Sequence, residues 1–131
     1  MSLTNAQYNS IMKDYEQTRD RNRHLAEQRR REVYTKLPEY GRLDESVGEL
    51  SVAQAKLLLN GDDEALTRLR FSLKDISRRK KDLLVSAGYP ADYLEPVYTC
   101  PDCKDTGYIE GGNGLRKKCH CFHQQELDIL Y

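Results

Sequence analysis

All four cysteines of this 131-residue chain lie in one short stretch: Cys100-Pro101-Asp102-Cys103, fifteen residues, then Cys119-His120-Cys121. Two close cysteine pairs separated by about 15–20 residues are the spacing of a tetrahedral zinc site. A C-x2-C turn sets two thiolates on one tight knuckle, and a returning hairpin brings up the second pair. The sequence supplies that hairpin. Thr106-Gly107-Tyr108-Ile109 reads as one strand and Leu115-Arg116-Lys117-Lys118 as the other, with Gly111-Gly112-Asn113-Gly114 as turn chemistry between them. So small a strand pair has almost no core, so a bound metal takes its place.

Other readings of the four cysteines fit less well. Free buried thiols suit so polar a hairpin poorly. Two disulfides require an oxidising compartment, and no apolar signal segment opens the sequence, so a cytoplasmic location is expected. A redox Cys-x2-Cys belongs in a βαβ setting, which is missing here. The expected ligands are Cys100, Cys103, Cys119 and Cys121, with His120 and His123 close enough to replace one cysteine. Iron in the same thiolate set is the alternative metal. Four thiolates leave no open coordination position, and no hydrolase, metalloprotease or phosphate-loop motif occurs, so no catalytic role is expected.

The remainder reads as helices. Thr4 and Gln7 have capping-box spacing, and Leu3 and Tyr8 that of a hydrophobic staple. No Gly or Pro follows until Pro38, which ends the first helix at the residues before it and suits the first turn of the next. The first helix has a thin apolar stripe: Tyr8, Ile11, Tyr15, Leu25, Val33 and Leu37. Between Arg19 and Glu32 it carries six arginines and three acids, so it reads as long, basic and largely solvated, with His24 in solvent. A second helix is expected from Pro38 to Leu59, with Leu43, Val47, Leu50, Leu57 and Leu58 on one side. Asn60-Gly61 closes it. A third carries Leu66, Leu69, Leu73, Ile76, Leu83 and Ala87 at heptad spacing, with Lys80 in the one polar slot. Glu64–Arg68 and Asp75–Arg79 are expected i,i+4 pairs, and Gly88 the C-terminal stop. The short link between helices two and three makes them antiparallel neighbours.

The fold class expected is therefore mainly α: a helical hairpin, coiled-coil-like, followed by a small zinc-binding β-hairpin. Composition changes near Gly88. This places a boundary between a helical region, 1–87, and a zinc module, 88–131, with a last helix from Gln124. Chelation should then unfold the hairpin and leave most helix intact. The heptad seam reads first as an intramolecular core; the alternative is a seam shared with another protein or another copy of the chain, which the little area buried by narrow apolar stripes favours.

The net charge of zero is a sum of segments. Residues 1–37 hold 8 basic and 5 acidic side chains, residues 38–99 hold 9 and 11, and residues 100–131 hold 4 and 5. A neutral chain argues against nucleic acid as the main partner. The alternative is a zinc ribbon that binds single-stranded nucleic acid through Arg116, Lys117 and Lys118 with Tyr108 as a stacking ring. No run of ~18 apolar residues exists, so no membrane span is expected.

One stretch carries a family resemblance. Gly88-Tyr89-Pro90-Ala91-Asp92-Tyr93-Leu94-Glu95-Pro96, then Tyr98-Thr99-Cys100-Pro101-Asp102-Cys103-Lys104-Asp105-Thr106-Gly107-Tyr108-Ile109, then Lys118-Cys119-His120-Cys121, resembles the N-terminal region of bacterial DnaI/DnaC-type replicative helicase loaders. The resemblance implies an adaptor domain that contacts the replicative DNA helicase. In the family, a C-terminal AAA+ ATPase domain binds ATP and single-stranded DNA. This sequence ends at Tyr131, so an excised N-terminal domain and a short relative are both compatible with the pattern. Only the cysteine motif transfers residue by residue.

Overall fold

The structure, a computed structural model, describes residues 2–131. It is mainly helical, with one small antiparallel sheet. Its elements are α1 (Asn5–Lys36), α2 (Pro38–Leu59), α3 (Ala65–Ser86), β1 (Tyr108–Glu110), β2 (Arg116–Lys118) and α4 (His120–Leu130). The chain forms two compact units. One comprises the residues up to Glu27 with Pro96–Tyr131, the other Gln28–Glu95. This division differs from the boundary expected near Gly88. The change in composition marks where the helices end, but the core of the cysteine module is completed by residues from the start of the chain.

The capping box at the start of α1 is formed in both directions. Thr4 N–H donates to Gln7 Oε1 at 2.9 Å, and Gln7 N–H donates to Thr4 Oγ1 at 3.1 Å. In the first unit Ile11 and Tyr15 of α1 are buried with Cys103, Cys119 and Phe122, and Leu3, Tyr8, Met12, Tyr108 and Ile109 pack around them. The upper part of the thin stripe is thus the other half of the hairpin's core. The strands pair Tyr108 with Lys118, Ile109 with Lys117 and Glu110 with Arg116. Gly111 N–H closes the turn on the Leu115 carbonyl at 2.6 Å, and Gly114 takes the left-handed backbone at φ +78°.

α4 begins four residues earlier than expected. Cys119 has extended backbone and is its N-cap. Cys-His-Cys is therefore the entry to a helix, and Phe122 at its first turn is fully buried.

In the second unit α2 and α3 form the expected hairpin, linked at Gly61 with φ +96°. Its seam keeps the middle of the heptad reading, with Ile76 buried and Leu69, Leu73 and Leu83 half-buried, and departs from it at the two ends. Ala65, Ile76 and Leu84 are the buried positions of α3, while Leu66 and Ala87 are exposed. Leu57 and Leu58 of α2 are exposed as well. Toward the ends the buried face moves to Ala65 and Leu84, the drift expected of an apolar face at 3.6 residues per turn relative to a strict heptad repeat. Arg68 pairs with Asp62 instead of Glu64, while Asp75 reaches both Arg78 and Arg79. Lys80, the polar slot, is paired with Asp44 of α2 and lies 5.2 Å over the Tyr40 ring.

Val33, Tyr40 and Leu84 form the core of this unit, and Leu37, Leu83, Tyr89, Tyr93 and Leu94 pack against it. The Gly88–Leu94 stretch thereby acquires a packing role. Gly88 leaves α3 with φ +91°. The Tyr89 and Tyr93 rings lie 4.7 Å apart, Arg29 sits 4.9 Å over Tyr93, and the Tyr93 hydroxyl donates to Glu32 Oε2 at 2.5 Å.

Leu84 is 2% exposed, and truncation of such a leucine costs about 2–5 kcal/mol. Leu84→Ala should lower the unfolding free energy read from urea titration of the helical signal by that amount, with a lower midpoint, while leaving the metal content per chain unchanged.

Candidate metal centre

The four sulfurs come from two local structures. Cys100 and Cys103 lie on a knuckle that ends in two consecutive left-handed residues, Lys104 (φ 54°) and Asp105 (φ 60°). Cys119 and Cys121 lie at the N-cap and in the first turn of α4. β1 and β2 bring the two together, and Cys119 N–H donates to the Gly107 carbonyl at 2.8 Å. The exposed N–H groups and the dipole of a helix N-terminus favour a thiolate there.

All four Sγ atoms lie within 4.8 Å of one another. Cys100 Sγ is 3.8 Å from Cys119 Sγ, and Cys103 Sγ is 3.5 Å from Cys121 Sγ. A tetrahedral ion with bonds of about 2.3 Å to sulfur holds its ligands about 3.8 Å apart. The cluster therefore has the dimensions to hold a metal ion. The cysteines are unbridged thiols, two buried and two half-buried.

The environment of each sulfur differs. Burial pushes the Cys121 thiol up to about 12, although the Tyr15 hydroxyl, 2.9 Å away, works in the opposite direction by hydrogen bonding to the sulfur. Burial also raises Cys119. At Cys103 burial works the same way, but the Gly107 N–H, the Cys121 and Cys100 sulfurs and the Thr106 N–H outweigh it, so its thiol lies below the ordinary value. A metal entering the cluster must displace the proton of Cys121, so binding releases protons and weakens as pH falls.

Asp105 is the residue that sequence reasoning missed. Its side chain is 2% exposed. Its carboxylate accepts the Cys100 N–H at 2.7 Å, the Thr99 N–H at 3.0 Å and Asn22 Nδ2 of α1 at 2.9 Å. Its own carbonyl accepts Arg19 Nη1 at 2.7 Å. One acidic side chain thus shapes the first knuckle and fixes it to α1. The only signal in the sequence is an Asp next to the Thr-Gly turn, a common turn residue. Gly107 is required for a related reason. Its φ is +84°, and a Cβ there would lie 2.8 Å from Tyr15 Cε2.

The histidines stand outside the four-sulfur group. His120 Nε2 is 2.7 Å from Asp102 Oδ2 and 3.8 Å from Cys100 Sγ, an exposed grouping beside the cluster. His123 Nδ1 faces Glu126 at 3.2 Å, and His24 is solvated, as expected. The basic strand is also engaged within the molecule. Arg116 lies 4.6 Å over the Tyr108 ring. Lys118 reaches Glu126 at 3.3 Å and sits 4.8 Å over Phe122. Tyr108 itself is turned to the core, with its hydroxyl 2.8 Å from that of Tyr8 and its ring 5.6 Å from Phe122.

Loss of a group that orients metal ligands typically weakens metal binding 10–100-fold. Asp105→Ala should do so in a competition titration with a chromogenic chelator. Asp105→Asn keeps an acceptor oxygen and tolerates the left-handed backbone, so it should fall between the two.

Comparison with protein-family models, with curated protein sequences and with solved structures finds no match to this chain, so the case for a metal centre stands on the four sulfurs and their surroundings.

Proposed function

We propose that this chain is a non-catalytic docking domain built around one structural zinc ion, and that its partner is a replicative DNA helicase. The observation that carries the docking role is an apolar surface at the linked end of the α2–α3 hairpin. Leu57, Leu58, Leu59 and Leu66 are all exposed there, Leu59 at 87%, and Phe71 follows on α3 at 77%. Clustered exposed apolar side chains mark protein interaction sites. The choice of helicase rests on the resemblance of residues 88–123 to the N-terminal region of helicase loaders.

Zinc suits four thiolates at this spacing, and a fully protein-ligated ion is the structural kind. Unbridged thiolate ligands suit a reducing compartment such as the cytoplasm. No helix of the described residues is long and apolar enough to cross a membrane. The single-stranded nucleic-acid reading has less support, because Tyr108 and Lys118 are already used inside the molecule.

The metal-loaded chain should co-elute with its helicase on a sizing column at ~10 µM, since useful protein contacts are commonly tighter than that. Leu58→Asp with Phe71→Asp should abolish co-elution without changing metal content. Absence of co-elution by the unaltered chain would reject the helicase assignment.

Metal analysis should return one zinc per chain. Chelation should remove the hairpin and also part of the helical far-UV signal, because Ile11 and Tyr15 of α1 share their core with Cys103 and Cys119. Most of the helix should still stay intact, with the loss falling on the start of α1. The α2–α3 signal should persist.

A further inference from the structure

Within the unit that contains the cysteines, a cleft of about 280 Å³ lies beside the first knuckle. One wall is the face of α1 that carries Arg19, Arg23 and Ala26, spaced four and three residues apart. Pro96 and Tyr98 supply an apolar side, and Lys104 lines the same cleft from the knuckle. Tyr98 is 40% exposed.

The charge in this cleft is one-sided. Its only acidic lining residue is Asp105, whose buried carboxylate is already taken by Thr99, Cys100 and Asn22. Arg19 spends one N–H on the Asp105 carbonyl. Arg23 pairs with Asp20 at 3.2 Å, but both side chains are more than half exposed, and such a pair is readily exchanged. The ion pairs of this unit leave Lys104 and Arg19 without a carboxylate partner among the described residues.

We infer that this cleft binds a short acidic peptide segment of a partner protein, with a carboxylate on Arg19, Arg23 and Lys104 and an adjoining apolar side chain against Pro96 and Tyr98. The cleft is at the small end of ligand-sized pockets and suits one or two side chains. A forked guanidinium recognises a carboxylate in two-point fashion. A nucleic-acid strand is the less favoured occupant. The unit holds four basic and four acidic side chains up to Glu27, and four and five from Pro96 onward. The thiolate centre adds further negative charge, and a polyanion meets that repulsion along its whole length. This inference deepens the docking role proposed above and gives the partner's segment a chemistry.

The test is fluorescence anisotropy on the metal-loaded full chain with three probes. The first is a labelled peptide alternating Asp or Glu with Leu or Phe. The second is the same peptide with Asn and Gln replacing the acids, and the third a labelled oligothymidylate. The acidic peptide should bind at least tenfold more tightly than the neutral one. Arg23→Gln with Lys104→Asn should weaken it at least tenfold with metal content unchanged; asparagine is chosen because it tolerates the left-handed backbone. Tyr98→Ala should weaken it at least threefold. Equal binding of acidic and neutral peptides, no binding of either, or preference for the oligothymidylate would overturn the inference. Helicase co-elution is read in parallel. A helicase that binds while the peptide does not removes the cleft and keeps the docking role. A peptide that binds while the helicase does not removes the helicase and keeps the cleft.

Discussion

The carboxylate of Asp105 is the junction on which the cysteine-bearing unit depends. Three donors converge on it: two backbone N–H groups of the knuckle and one side-chain amide of α1. A buried carboxylate is costly unless every lone-pair direction is answered. Here the donors are the groups whose positions decide where Cys100 points. The backbone cooperates, since Lys104 and Asp105 both adopt the left-handed conformation that turns the chain back toward Gly107. The knuckle is thus shaped by a hydrogen-bonded anion as well as by any ion the sulfurs hold.

The two compact units are stabilised by different means. The first has a core of an isoleucine, a tyrosine, a phenylalanine and two cysteines, too little apolar matter to hold so short a sheet by burial alone. The four converging sulfurs have the dimensions to hold a metal ion that would supply the missing cross-link. The second unit has no metal cluster among its described residues and relies on burial of Val33, Tyr40 and Leu84, together with the Lys80–Asp44 pair inside the α2–α3 seam. Hydrophilic composition therefore has two separate explanations in one chain. In one unit a small core is set around a cluster of four sulfurs, and in the other the helices keep a narrow buried face and leave the rest to solvent.

Much of this architecture was legible in local sequence. The capping box, Pro38, Gly61 and Gly88 placed the ends of the first three helices, because each acts through neighbouring backbone groups. The cysteine spacing located the cluster for the same reason. What escaped was non-local. Nothing in Asp105 announces that Asn22, far away in the chain, will donate to it. Tyr15 reads as one more residue of an apolar stripe, yet it reaches Cys121. Leu66 fits the heptad of α3 and Leu57 the apolar side of α2, yet both are exposed. The start of α4 lies at His120 and not at Gln124, because Phe122 is buried in the first turn of that helix, a contact that the Cys-His-Cys spacing does not reveal.

Gly107 bears on how α1 and the hairpin keep their alignment. The glycine leaves room for the edge of the Tyr15 ring, and a methyl group in its place would already be too close. The same ring ends at Cys121. Sliding α1 by one residue would present Asp14 or Glu16 to that opening, and neither offers an aromatic edge or a hydroxyl at that reach. The fit therefore acts as a register stop. A single insertion between Tyr15 and Asn22 would break either the contact at Gly107 or the bond to Asp105.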